Sequence, residues 1–200
     1  DGSFYRLRCV EGGKYFTGSG EDSNIHLWEW VDHDLQRWAI AASDGNGILL
    51  PGRIEAEDYN DGGEGVGYHD STPGNAGGAY RSDDVDIETS TDVGGGFNVG
   101  WVENGEWLAF DVHVAENGNY DLIARVAAKD TGIDTLSLHI QVDGVNETGA
   151  MTFAPTGGWQ NWINVTVPGV YLSAGPHELT VFMDAPLFNL NYVDVILSDG

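Results

Sequence analysis

Trp107-Leu108-Ala109-Phe110-Asp111-Val112-His113-Val114 reads as a β-strand with one buried face. Leu108, Phe110, Val112 and Val114 fall on one side, and Trp107, Ala109, Asp111 and His113 on the other. A period of two is what a strand on a hydrophobic core requires. Similar segments recur at residues 120–127, 136–142, 162–167, 177–183 and 189–196. Turn-forming runs separate them: Glu116-Asn117-Gly118-Asn119, Val142-Asp143-Gly144, Pro168-Gly169 and Ala174-Gly175-Pro176. Residues 53–59 read as one more strand, with Glu55 and Glu57 sharing a face. Many short strands without helical periodicity predict an all-β sandwich of two antiparallel sheets. Residues 62–100 break the pattern. They are rich in Gly, Asp and Asn and read as long loops, where binding residues concentrate.

Composition narrows the partners. The chain carries 8 Lys and Arg against 32 Asp and Glu, a formal charge of −24. Phosphate-bearing partners need a cationic surface, so nucleic acid and anionic membranes are disfavoured. Sulfated polysaccharides are disfavoured too, unless cations intervene. High net charge also keeps a protein soluble whatever it binds. No apolar run is long enough to span a bilayer. Cys9 is the only cysteine, so no intrachain disulfide forms. Asp1-Gly2-Ser3 reads as the start of a mature fragment or of an excised piece rather than of a signal peptide, which leaves secretion open.

The spacing changes near Leu50-Pro51-Gly52, which sets the expected domains at residues 1–50 and 51–200. The first segment reads as four short strands, around Tyr5-Arg6-Leu7-Arg8, Gly13-Lys14-Tyr15-Phe16, Ile25-His26-Leu27 and Gln36-Arg37-Trp38. Their order resembles one repeat of a ricin-type β-trefoil lectin. A trefoil needs three repeats, so the segment reads as a truncated lobe or an added β layer. Trp28, Trp30 and Trp38 are packing residues in the plainer account.

Two stretches carry the chemistry. Trp101-Val102-Glu103-Asn104-Gly105-Glu106-Trp107 and Gly157-Gly158-Trp159-Gln160-Asn161-Trp162 each set an aromatic beside polar side chains at the edge of a strand. Flat aromatic faces stack on the C–H faces of sugar rings, while amides and carboxylates bond hydroxyls. That combination points to a sugar-binding surface. Trp107 and Trp162 each begin an alternating strand and are expected in the core. Tyr68 either lines a second surface or packs a loop.

From residue 54 to residue 195 the chain resembles the family 6 carbohydrate-binding modules. The resemblance runs through Ile54-Glu55-Ala56-Glu57-Asp58-Tyr59, Gly77-Gly78-Ala79-Tyr80-Arg81, Asp84-Val85-Asp86-Ile87-Glu88 and Val99-Gly100-Trp101. It continues through Asn104-Gly105-Glu106-Trp107, Gly157-Gly158-Trp159-Gln160 and Phe188-Asn189-Leu190-Asn191-Tyr192. It implies a jelly-roll-like β-sandwich that binds a polysaccharide or oligosaccharide without catalysis, tethered to the catalytic domain of a secreted polysaccharide-degrading enzyme. Position by position, it implies Trp101 and Trp159 as the aromatics that sandwich a ring, and Asn189 and Glu88 as hydroxyl partners. Glu103, close to Trp101, is a further candidate. The resemblance also implies a structural Ca²⁺ held by Glu55, Glu57, the carbonyl of Arg81, and Asp194 or Asn191. Independently, like charges on one strand face are costly unless a cation bridges them. Asp83, Asp84 and Asp86 read as an acidic loop or another Ca²⁺ site.

An enzyme is disfavoured. Glu103 and Glu106 sit in one turn, whereas glycosidase carboxylates face each other across a cleft, ~5–9 Å apart. No zinc spacing, nucleophile elbow, P-loop or Rossmann fingerprint occurs. A protein-binding or adhesive sandwich is the remaining alternative, and it requires a broad apolar patch. The resemblance implies a neutral polysaccharide as ligand: agarose-type galactan first, then β-1,3-glucan, then xylan.

Overall fold

The computed structural model describes residues 47–198 and, within residues 1–46, the backbone of three strands. The chain divides into two compact units, Asp1–Asn46 and Gly47–Gly200. In the first, β1 (Phe4–Cys9), β2 (Tyr15–Phe16) and β3 (Trp38–Ser43) form an antiparallel sheet in the order β2-β1-β3. Cys9 pairs with Trp38 in this sheet. The strand expected around Ile25-His26-Leu27, together with Trp28 and Trp30, lies outside the described residues.

The second unit opens with β4 (Ile48–Leu50) and β5 (Gly52–Glu55), followed by a single 3₁₀ turn, Ala56–Asp58. Short strands β6 (Tyr68–His69), β7 (Ile87–Thr89) and β8 (Phe97–Val99) punctuate the Gly-rich stretch. Then come β9 (Trp107–Val114), β10 (Gly118–Ala128), β11 (Leu136–Val142), β12 (Val145–Asn146) and β13 (Met151–Phe153). The chain closes with β14 (Gly158–Leu172), β15 (Gly175–Met183) and β16 (Asn189–Leu197). Because β4 pairs with β9, the second unit begins a few residues before Pro51.

The strands form a 6-stranded sheet, β14-β10-β16-β8-β7 with β5 on β16, and a 7-stranded sheet, β12-β11-β15-β9-β4 with β13 on β11 and β6 on β9. Every pairing is antiparallel except β4 with β9. The two inner faces share one core. The 7-stranded sheet supplies Leu108, Phe110, Leu138, Ile140, Leu179 and Val181, and the 6-stranded sheet supplies Leu122, Ala124, Val126, Leu190, Val193 and Val195. Each fully buried large apolar side chain contributes roughly 1.5–3 kcal/mol. The chain is thus a β-sandwich, as the period-two pattern requires. No helix long and apolar enough to cross a membrane occurs among the described residues.

Two local features depart from regular strand geometry. Asp143 and Gly144 join β11 to β12 with φ of 51° and 77°, the two left-handed residues a tight hairpin needs. On β16, Arg125 pairs with Tyr192 but Val126 pairs with Leu190, so Asn191 sits in a bulge. The bulge lets Asn189, Leu190 and Asn191 all be buried.

The hairpin carries a pH-dependent clasp. His177 Nδ1 lies 2.7 Å from Asp143 Oδ2, and its Nε2 lies 2.9 Å from the Ser173 carbonyl. The bond to Asp143, against partial desolvation, raises the His177 pKa. The clasp therefore stabilises the fold fully below the unfolded pKa of about 6.5, and that contribution disappears as pH rises through the higher folded value. Melting temperature measured from pH 5 to 9 is expected to show this decline, and His177→Ala to flatten it; an identical slope in the variant removes the assignment.

Candidate functional site

β7 and β8 place Glu88 directly across from Asn98, on the side opposite the core residues Ile87 and Val99. The Glu88 carboxylate is the hub of a polar cluster. Its Oε1 accepts from Asn189 Nδ2 at 2.9 Å, Gln160 Nε2 at 2.9 Å and Asn98 Nδ2 at 3.4 Å. Asn189 Nδ2 also donates to the Trp159 carbonyl at 2.9 Å. Gln160 Nε2 donates to Asn98 Oδ1 at 3.0 Å, and Gln160 Oε1 accepts from the Thr91 N–H at 2.8 Å. Four strand ends, from β7, β8, β14 and β16, are thereby tied together. A Cβ on Gly100 would come within 3.1 Å of Asn189 Oδ1, so a glycine there keeps the surface above that atom open.

The two aromatics border this floor along the backbone, Trp101 next to Gly100 and Trp159 through its carbonyl. Trp101 follows Gly100 with φ of 47° and is 50% exposed. Left-handed backbone at a bulky residue is costly, on the order of 1–3 kcal/mol, and persists only where the surroundings enforce it. Here the Gly100 N–H is held by the Asp86 carbonyl, and the carbonyl of fully buried Val102 accepts from the Leu187 N–H. The anchors on either side turn the indole outward. Trp159 is 36% exposed at the start of β14, after Gly157 at φ 90°. The structure thus brings Trp101, Trp159, Asn189 and Glu88 to one locus. Glu103 is exposed and has no bond to this cluster.

Glu106 has a structural task. It is buried and accepts from the Ser71 N–H, the Ser71 hydroxyl and the Glu103 N–H. A carboxylate so occupied pins the 71–76 loop and is not available as the acid or base of a glycosidase. Asp84 and Asp86 pin the same loop through the Gly74 and Ala76 N–H groups, and Asp83 receives the Tyr59 hydroxyl and Arg81 Nε. Tyr68 is buried and packs edge-on against Tyr59, with ring centroids 5.3 Å apart, so it is a packing residue.

The candidate metal ligands separate into those that fit and those that do not. The strand expected over residues 53–59 stops at Glu55, and Glu57 lies in the 3₁₀ turn. The two carboxylates therefore do not share a strand face. Glu55 is partly exposed and Glu57 is 5% exposed. Burial, reinforced by the charges of Glu55 and Asp58, pushes the Glu57 carboxyl up to about 8. Its Oε1 accepts from the Phe97 N–H at 3.3 Å, but Oε2 is buried with no partner. Asn191 Oδ1, on the strand against which the 3₁₀ turn packs, is likewise buried with no partner. Asn191 Nδ2 donates to Asp92, which Arg125 grips at 2.7 and 2.8 Å. Asp194 does not fit: Arg53 takes both of its oxygens, at 2.7 and 2.9 Å. The Arg81 carbonyl accepts from Asn75 Nδ2 at 3.0 Å. Among the described residues, no group of three or more His, Cys, Asp or Glu side chains is arranged to hold a metal.

Sequence reasoning missed Asn98 and the task of Gln160. The signal for Asn98 is a fully buried amide between strand apolars, at Phe97-Asn98-Val99. The expected core tryptophans are also placed differently. Trp107 is only partly buried, on the outer face of the 7-stranded sheet near Phe182, and Trp162 is partly buried on edge strand β14.

Comparison with known proteins agrees with this fold. The carbohydrate binding module family 6 matches residues 75–196. The alpha subunit of clotting factor G from Tachypleus tridentatus is 31% identical over 117 residues, covering 58% of this chain and 17% of that protein. Beta-agarase AgaO from Microbulbifer thermotolerans is 26% identical over 132 residues, covering 65% of this chain and 10% of the agarase. The chain therefore spans a small part of the curated relatives it matches. Among solved structures, the carbohydrate binding module CBM6cm-2 of Cellvibrio mixtus lichenase 5A, in complex with cellotriose, is 30% identical with a TM-score of 0.52, covering 74% of this chain and 98% of the module. The family match extends over more than half of the sequence, and the chain belongs to the family 6 carbohydrate-binding modules.

Proposed function

We propose that residues 47–200 bind a ring of a neutral polysaccharide between Trp101 and Trp159, without chemistry, and so hold a tethered catalytic domain of a secreted polysaccharide-degrading enzyme at its substrate. The observation that carries this is a pair of exposed indoles whose backbone borders a floor whose open groups belong to Glu88 and Asn189. Aromatic faces supply the affinity, and a few fixed polar groups supply orientation. Tethering raises the effective concentration of the attached domain at the polymer. Glu103 stands beside Trp101 as an accessory hydroxyl acceptor.

Neutrality follows from charge. Arg53, Arg81 and Arg125 are each paired with aspartate, which leaves Lys129 as the basic side chain of residues 47–200 without a carboxylate partner among the described residues. Likeness to a beta-agarase favours an agar-type galactan, ahead of β-1,3-glucan and xylan. The reading also includes a structural Ca²⁺. Glu57 Oε2 and Asn191 Oδ1 are the buried oxygens that fit it, with Glu55 and the Arg81 carbonyl completing the set. When bound, the ion supplies charge neutralisation to a buried carboxylate and cross-links the start of the second unit to β16.

Affinity electrophoresis and pull-down against agarose, laminarin, xylan and cellulose test the proposal. Retention by one neutral polymer without release of reducing sugar is expected, agarose first. Indifference to all of them removes the glycan reading, and release of reducing sugar removes the non-catalytic one.

A further inference from the structure

We propose that the floor of the site presents hydrogen-bond acceptors alone, so that it selects a sugar ring offering free hydroxyl donors and rejects the same ring when those hydroxyls are etherified. The inference rests on the glycan-binding reading and specifies which ring that site takes.

Every side-chain amide hydrogen of the floor already has a partner. An amide nitrogen carries two hydrogens, and a carboxylate carries none. Asn189 Nδ2 gives one to Glu88 Oε1 and the other to the Trp159 carbonyl. Both partners only accept, so the Asn189 amide has one tenable orientation, with its Oδ1 left over. Gln160 Nε2 gives its hydrogens to Glu88 Oε1 and Asn98 Oδ1, and its own oxygen is taken by the N–H and hydroxyl of Thr91. Asn98 Nδ2 gives its hydrogens to Glu88 Oε1 and the Val99 carbonyl. No amide hydrogen of these residues remains for a ligand.

Two atoms remain open. Glu88 Oε2 and Asn189 Oδ1 accept no bond among the described residues, and neither is among the buried atoms that lack a partner, so solvent reaches both. Oε1 holds the carboxylate in place through its three donors while Oε2 faces outward. A ring hydroxyl that donates to Oε2 forms a charge-assisted bond, the stronger class of hydrogen bond. A methyl ether has no hydrogen to give and sets one oxygen against another, which leaves Glu88 Oε2 desolvated and unpaired. Gln160 and Asn98 act through Glu88 and are positioning residues.

The probes are agaro-, laminari-, xylo- and cello-oligosaccharides, each with free hydroxyls and each O-methylated, measured by isothermal titration calorimetry. On the wild-type chain the methylated form of a bound probe is expected to lose at least about tenfold in affinity. Glu88→Gln separates donor demand from bulk. Its Oε1 keeps the same three amide donors, while Nε2 replaces the open oxygen and turns that position into a donor. Free probes should then weaken roughly tenfold, and the free-to-methylated ratio should shrink to about threefold or less.

Equal wild-type affinity for free and methylated probes overturns the inference while leaving glycan binding intact. An unchanged ratio in Glu88→Gln overturns it in favour of steric exclusion. Failure of every free probe to bind removes the glycan reading and this inference with it. The wild-type ratio needs no variant, so the test stands even where Glu88→Gln does not fold.

Discussion

Trp159→Ala is expected to weaken binding of the retained polysaccharide roughly 30-fold, about 2 kcal/mol, while leaving the fold intact. The size follows from removing one of two stacking faces at the centre of the contact. The selectivity follows from how Trp159 is built in. Its contribution to the floor is a backbone carbonyl, which accepts from Asn189 Nδ2 at 2.9 Å, and alanine keeps that carbonyl. Its ring is 36% exposed before any ligand binds, so truncation opens no sealed cavity, and melting temperature should move by no more than about 2 °C. Trp101 is the less clean target, because at φ 47° an alanine inherits the same backbone strain. Calorimetry on wild type and Trp159→Ala decides the matter: equal affinities place the sugar elsewhere on the sandwich.

The parts of this fold that were legible in the sequence are those governed by local periodicity. Leu108, Phe110, Val112 and Val114 alternate inward because a strand has a period of two, and nothing distant alters that. Trp101 and Trp159 were legible as candidate binding residues because each stands beside polar side chains at the edge of a strand. Glu57 was not. Its alternation with Ala56 and Ile54 continues the strand pattern, but the chain turns into a 3₁₀ turn at Ala56 and carries Glu57 into the interior. The β16 bulge is equally silent in sequence. It buries Leu190 where strict alternation from Val193 and Val195 predicts an outward side chain, and it is fixed by pairing with β10. The task of Gln160 escaped for a related reason: its partners Glu88, Asn98 and Thr91 lie more than sixty residues away along the chain and meet it only through the sheet.

Removal of Ca²⁺ is expected to lower the melting temperature by about 5–10 °C, and to change sugar affinity at room temperature far less. A ligand at about a hundred times its dissociation constant stabilises by ~2.7 kcal/mol, and a domain of this size moves roughly 2–4 °C per kcal/mol. The cost without the ion falls on Glu57, whose Oε2 is buried without a partner and whose ionisation burial already opposes. Sugar contacts are affected less because Glu88 is held by its own amides and not by Glu57. Thermal melting with and without EDTA reads the effect, and a chelator that leaves the wild-type transition in place rules out the ion. The variants then assign the ligands. Glu57→Gln and Asn191→Ala should each abolish the response to EDTA, since each removes an oxygen now lacking a partner. Asp194→Asn should keep that response, because Arg53 rather than a cation already occupies both Asp194 oxygens.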